Sequence, residues 1–356
     1  MHTYFKTTRP LALVMSLSLM IVFSAACSGA PEPDPTPKTN KGAAISADPG
    51  SLIVYSGRSE SLIGPLIDTF QTMTGIDVSV KYGSTGEIAT TILEEGSNSP
   101  ADVFFAQDPS GLAAVTPMLK PLSGFLTNLT PDWARSPEGQ WVGVSGRARV
   151  VVYNKQNVSE EDIPNTLKDF IDPKWKGRIG WAPSNASFQA MITTMRMLWG
   201  EEDTSAWLSS IQANRPKIYP KNTPIVAAAA SGEIDVGFVN HYYLHRFMKE
   251  DGESFGARNF FMNGDGPGSV ILVSGVGILK TTGNRQNAEK FIQFLLSNVA
   301  QQYFASQTFE YPLIDGVTTH RLLPSLSELT KPTIDMASLS DIEGTQRLLR
   351  NIGIIP

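Results

Sequence analysis

Tyr242 and Tyr243 stand side by side after the strand-like run Ile234-Asp235-Val236-Gly237-Phe238-Val239 and the pair Asn240-His241. An ionised phenol is a hard anionic oxygen donor, suited to a hard, highly charged cation. A free tyrosine ionises only near pH ~10, so at neutral pH a strong Lewis acid must displace its proton, and ferric iron is hard enough to do so. The same two residues could instead be packing side chains on a cleft wall.

Positioning them requires a turn. Within a strand, neighbouring side chains point to opposite faces, whereas a turn from strand into helix can aim two consecutive side chains at one space. The spacing predicts a helix from Tyr242 to Lys249, with Asn240 as its N-cap. The partial positive charge of such a helix start favours phenolate over phenol.

The elements around this turn alternate. Leu52–Tyr55 reads as a strand, Leu62–Met73 as an amphipathic helix ending at Gly75, and Ile76–Tyr82 as the next strand. Ser84-Thr85-Gly86-Glu87 is a capping-box pattern before a helix Ile88–Glu95, and Asp102–Phe105 is a short buried strand before a helix Leu112–Met118. A second series begins at the β-branched strand Arg149–Tyr153. It continues through Ile179–Trp181, helices at Ala186–Trp199 and Ser205–Ala213, Lys217–Tyr219 and a helix Pro224–Ser231. After the Gly-rich 264–268, a strand Val270–Val273 and a helix Ala288–Ser297 resume the first pattern. Strand–helix alternation implies a largely parallel α/β sheet. A chain that leaves one lobe and returns to it makes two lobes joined by crossing strands, with a cleft that receives loops and helix starts. The expected division is 51–147 plus 270–320 for lobe 1 and 148–269 plus 321–356 for lobe 2.

The ends and the composition bound the setting. Lys6 and Arg9, an apolar run from Leu11 to Phe23 and then Ser24-Ala25-Ala26 read as an export signal over residues 1–26; the run is short of the ~20 residues a membrane span needs. Cys27, the only cysteine, sits where bacterial lipoproteins carry their lipid-bearing residue, although Ser24 occupies a place usually held by leucine. The Pro-rich segment 27–50 is a tether with little to bury. A body without cysteine excludes disulfides, iron–sulfur clusters and thiolate zinc sites, so any metal there is held by oxygen or imidazole. Removing the signal takes the net charge from −5 to −7 (−5 − 2), which argues against nucleic acid as a partner.

Across almost the entire body the sequence resembles the bacterial ferric iron-binding substrate-binding proteins of ABC transporters, of the periplasmic-binding-protein type 2 fold. The matching segments stand in the expected order: Val54-Tyr55-Ser56-Gly57-Arg58, Tyr82-Gly83-Ser84-Thr85, Ser99-Pro100-Ala101-Asp102-Val103-Phe104, Ser145-Gly146-Arg147-Ala148-Arg149-Val150, Trp175-Lys176-Gly177-Arg178, Asn240-His241-Tyr242-Tyr243 and Glu310-Tyr311-Pro312-Leu313. The resemblance implies that Tyr242 and Tyr243 are iron ligands. It also marks departures: Ser59, followed by Glu60, stands where many relatives have histidine; Gln107, followed by Asp108, where some have glutamate; and Ser187 where another branch has a third tyrosine. Two phenolates leave most of an octahedral shell open, and the resemblance implies a synergistic anion, carbonate or phosphate. The matching positions are Asn185, Ala186, Ser187, Asn222 and Asn240, polar or small residues at expected helix starts, where N–H groups suit an anion or serve as simple caps.

Other residues carry two readings each. Glu60 could ligate iron or be solvated on the cleft rim, and Gln107 could bond the anion or a metal-held water. His241 and His245 are expected beside the site or on the surface, and Arg147 and Arg149 in structural ion pairs. The implied protein is a monomeric carrier, exported and lipid-anchored, that delivers iron to a permease and its ATPase. An oxyanion, a polyamine or another small solute is the alternative cargo. For an enzyme the sequence offers little: it has no Gly-x-Ser-x-Gly elbow, no phosphate-binding loop and no His-Glu-x-x-His.

Overall fold

The computed structural model describes residues 49–356. The export signal, Cys27 and all but the last two residues of the tether lie outside the described residues.

Strands and helices follow in the order β1 (Ser51–Ser56), α1 (Glu60–Thr74), β2 (Asp77–Tyr82), α2 (Thr85–Glu95), β3 (Val103–Ala106), α3 (Pro109–Val115), β4 (Leu119–Lys120), α4 (Gly124–Thr127) and β5 (Trp141–Asn154). The second series is β6 (Ile179–Trp181), α5 (Ala186–Trp199), α6 (Glu201–Ala213), β7 (Lys217–Ile218), α7 (Asn222–Ser231), β8 (Val236–Asn240), α8 (Tyr242–Asp251) and β9 (Ala257–Phe260). The chain closes with β10 (Ile271–Leu279), α9 (Arg285–Leu295), α10 (Asn298–Gln307), β11 (Tyr311–Pro312) and α11 (Ile342–Asn351).

Local chemistry explains several boundaries. Gly75 adopts the left-handed conformation that ends α1, which only glycine reaches without steric penalty. Both halves of the Ser84/Glu87 capping box form at the start of α2. Thr85 then packs so closely on Gly57 and Gly111 that a side chain at either would collide with it.

The strand order is β2-β1-β3-β10-β5-β8-β6-β7, with β4, β9 and β11 alongside. It is mixed rather than largely parallel: β2-β1-β3 and β8-β6-β7 are parallel runs, and the antiparallel β10 and β5 stand between them. The fourteen-residue β5 joins the two lobes. Its residues Trp141–Ala148 pair with β10, and Arg149–Tyr153 pair with β8. One lobe is built around Phe70, Phe291 and Phe294, the other around Trp175, Trp181, Trp207 and Phe238. Burial of such large apolar side chains, each contributing roughly 1.5–3 kcal/mol, fixes the two cores and leaves polar residues to the seam between them.

Candidate functional site

Three arginines are buried at that seam. Arg58 follows β1, and Arg147 and Arg149 lie on β5 where it changes partners; all three are 0–1% exposed. Among the described residues only Arg58 of the three has an ionic partner: its Nη2 donates to Glu310 Oε1 at 2.5 Å, and Glu310 is itself fully buried. The other Glu310 oxygen accepts from the Ser145 hydroxyl, which lies 2.6 Å from that of Ser274. Arg147 reaches only the Val273 carbonyl, at 3.4 Å. Arg149 donates to Asn240 Oδ1 at 3.0 Å, and to Asn222 Oδ1 and Ser187 Oγ at 3.4 Å. The expected ion pairs of Arg147 and Arg149 therefore do not form among the described residues. The reason is topological: the middle of β5 faces strand ends and helix starts that supply only neutral oxygens.

Each guanidinium also keeps buried N–H groups without a partner among the described residues: Nε and Nη1 of Arg58 and Arg147, and Nε and Nη2 of Arg149. Three cations and one carboxylate leave a buried net charge of +2 (3 − 1). Burial without a counter-ion pushes the Arg149 guanidinium down to about 9, with the Arg147 charge adding to the shift and the tyrosines opposing it.

The tyrosines lie within the field of this cluster. Tyr242 is 1% exposed and Tyr243 half-buried, and their rings stack at 4.2 Å and 27°. Tyr242 interacts electrostatically with Arg147 and Arg58, and Tyr243 with Arg58 and Arg149. Burial raises the Tyr242 phenol well above its ordinary range, the Tyr243 oxygen adds to this, and Arg147 and Arg58 pull against it. The phenol therefore stays protonated at neutral pH until a Lewis acid displaces its proton.

Of the expected anion residues, Ser187, Asn222 and Asn240 meet on Arg149, and Asn185 joins them by accepting from Ser187 and from Asn222 Nδ2. Asn185 and Ala186 face a cavity of ≈ 950 Å³, as does Gln107. Asn240 is not a cap. It is the last residue of β8 and His241 is the N-cap of α8, because the Asn240 side chain is held back by Arg149. Ser59 and Glu60 are exposed at the start of α1, and the Ser59 hydroxyl reaches only Ser61.

Neither His241 nor His245 is on the surface. His241 accepts from the Ala148 N–H at Nδ1 (3.1 Å) and donates from Nε2 to the Phe309 carbonyl (2.7 Å). His245 stacks on Phe309, 5.2 Å away. Sequence reasoning assigned no role to Glu310. The available signal was a lone acid between two aromatic residues, Phe309 and Tyr311, in an otherwise apolar stretch.

A profile of bacterial extracellular solute-binding proteins matches residues 97–334. The chain is 34% identical over 311 residues to the major ferric iron-binding protein of Neisseria meningitidis serogroup A, covering 85% of this chain and 93% of that one. Iron-bound HitA from Pseudomonas aeruginosa superposes with a TM-score of 0.81 at 31% identity, over 85% of this chain and 99% of HitA. A Trichodesmium protein, IdiA or FutA, in complex with iron and citrate gives 0.76 at 31% identity, with 85% and 99% covered.

Proposed function

The chain belongs to the bacterial extracellular solute-binding proteins, and from that membership we propose that it is a non-enzymatic carrier that captures ferric iron outside the cytoplasm and hands it to an ABC permease. The observation that carries this reading is the stacked tyrosine pair beside a buried net charge of +2 whose N–H groups lack partners. The names of its relatives point the same way and do not favour another cargo.

Tyr242 and Tyr243 supply two phenolates. With Fe3+ added, the local charge rises from +2 to +3 (2 + 3 − 2), a charge that a dianion lowers to +1. An anion is thus needed for the metal to stay, and Arg149 with Ser187, Asn222 and Asn240 holds it, Asn185 and Ala186 lining its approach. Carbonate and phosphate both fit this chemistry. Gln107 can bond a metal-held water from the cavity wall, whereas Ser59 and Glu60 stay on the rim.

Residues 51–147 with 270–320 form one lobe and 148–269 with 321–356 the other. They close about β5, and the closed form lets the permease tell loaded from empty protein. Cys27 anchors the carrier to the membrane through a lipid.

A visible-absorption titration with chelated ferric iron, with and without carbonate or phosphate, tests the site. A phenolate-to-iron charge-transfer band that requires one of the anions is the expected result. No band under any condition overturns the reading.

A further inference from the structure

Between Asn240 and Tyr242 the chain leaves β8 and starts α8 within one residue, and the sheet ladder shows how. In a hydrogen-bonded antiparallel pair the two facing residues exchange both N–H···O bonds. Arg149 on β5 faces Asn240 on β8, so Ala148 and His241 are the next pair. Half of their exchange runs through the backbone: the His241 N–H donates to the Ala148 carbonyl at 3.0 Å. The Ala148 N–H, however, donates to His241 Nδ1, at 3.1 Å. The imidazole stands in for the carbonyl of its own residue.

That carbonyl is thereby released from the sheet. His241 already has helical dihedral angles, φ −57° and ψ −39°, and its carbonyl accepts from Asn259 Nδ2 on β9 at 2.7 Å. The Asn259 amide oxygen is buried without a partner among the described residues, which costs stability, so the contribution of this amide is the bond from its nitrogen. The ring is fixed at its far end too: Nε2 donates to the Phe309 carbonyl at 2.7 Å, and the ring lies 4.9 Å from that of Tyr311.

We propose that His241 and Asn259 are positioning residues for the iron site: the ring satisfies Ala148 in place of the backbone, the amide holds the released carbonyl, and β8 therefore ends in one step with Tyr242 and Tyr243 aimed at one space. The inference rests on the iron reading above. Without an acceptor on the side chain, the buried Ala148 N–H is satisfied by the carbonyl of residue 241. The strand then runs on, the helix starts late, and the two tyrosines diverge as neighbours on a strand do. Their stack at 4.2 Å is lost, and one phenolate with it.

The test separates the two ends of the ring. In His241→Asn, Oδ1 replaces Nδ1 as the acceptor for Ala148 and nothing reaches Phe309. In His241→Gln the longer amide reaches Phe309 and the near acceptor is gone. The purified full-length chain is loaded with ferric iron and carbonate. Ultraviolet difference absorption counts the phenols ionised per iron, competition against a chelator gives the affinity, and circular dichroism reports folding. The wild type and His241→Asn should ionise both phenols. His241→Gln should ionise one and bind iron more weakly by about 100-fold or more, the upper end of what removing a group that orients a metal ligand does. A histidine that served stability alone would leave the two variants with the same phenol count. Asn259→Leu, similar in shape but without the donor, should bind iron about 2–10-fold more weakly, and it decides the case if His241→Gln does not fold. Two ionised phenols in His241→Gln, loss of a phenol in His241→Asn, or unchanged affinity in Asn259→Leu overturns this inference and leaves the iron reading standing. Fewer than two ionised phenols in the wild type overturns both.

Discussion

Arg58 and Arg149 are both fully buried and both act on the tyrosine pair, yet their guanidinium groups are shifted in opposite directions. Burial penalises each charge. At Arg58 the Glu310 carboxylate, with help from the tyrosines, more than offsets that penalty and the pKa rises. At Arg149 the partners are the neutral oxygens of Asn240, Asn222 and Ser187, and the pKa falls to about 9. Neutral oxygens fix the plane of a guanidinium but do not compensate its charge. The charge at the Arg58 corner is thus balanced without a ligand, although two of its N–H groups stay unpartnered among the described residues, whereas the charge at the Arg149 corner is not balanced. On the function proposed above, the first serves the fold and the second the cargo.

The severest way to break this contrast is to remove what both corners share. Tyr242→Phe or Tyr243→Phe should weaken iron binding by more than the roughly 10–100-fold typical of residues that only support a metal ligand. The fold should survive, because a buried phenol without a fixed partner is well replaced by the isosteric ring. Competition against a colorimetric chelator, with circular dichroism as the folding control, reads both. Retained affinity in both variants would remove the tyrosines from the site.

Glu310→Gln attacks the Arg58 corner alone. It leaves a buried guanidinium without its counter-ion, and the expected loss is about 3–5 kcal/mol of stability, read by urea unfolding of the iron-free protein. Arg149→Met gives the complementary result. Stability should change by no more than about 1 kcal/mol, since a lost charge penalty is set against three lost hydrogen bonds. Iron affinity should fall about 10–100-fold, and added carbonate should no longer raise it. Destabilisation as large as that of Glu310→Gln would mean that both corners serve the fold.

The sequence exposes these two corners unequally, for a physical reason. Hydrophobic period, caps and turn residues act over a few positions, so α5 has the expected boundaries, the α2 capping box forms and the turn before Tyr242 lies where the strand run ends. The Arg58–Glu310 pair joins residues 252 positions apart, and no local pattern reports it. The same limit hid the first half of β5, where Gly143, Ser145 and Gly146 mask a fully buried strand. It also misplaced Asn240 as a cap, because the pull of Arg149 comes from another strand. Helices α10 and α11 earned no assignment, although Leu348 and Leu349 of α11 pack with Met195 of the second lobe.

A smaller effect sharpens the contrast by acting on the link between the corners. His241 bonds the N–H of Ala148, which lies between Arg147 and Arg149, and the carbonyl of Phe309, which precedes Glu310. Only the neutral ring can accept at Nδ1 while donating at Nε2. Burial pushes its pKa down to about 4, and burial likewise takes His245, which has no hydrogen-bond partner among the described residues, down to about 3. Unfolded histidine titrates near ~6.5, so between that value and about 4 the unfolded chain binds protons that the folded one refuses. Stability should hold above pH ~6.5 and decline as pH falls toward 4, by about 1–3 kcal/mol for His241. His245→Phe preserves the stacking on Phe309 and removes one of the two protons. It should therefore reduce the slope of unfolding free energy against pH between 6 and 4.5 by about half, whereas His241→Gln should reduce it similarly and also lower stability at pH 7. A slope unchanged by either substitution would mean that acid acts on the carboxylates instead, and that the two corners are not joined through this ring.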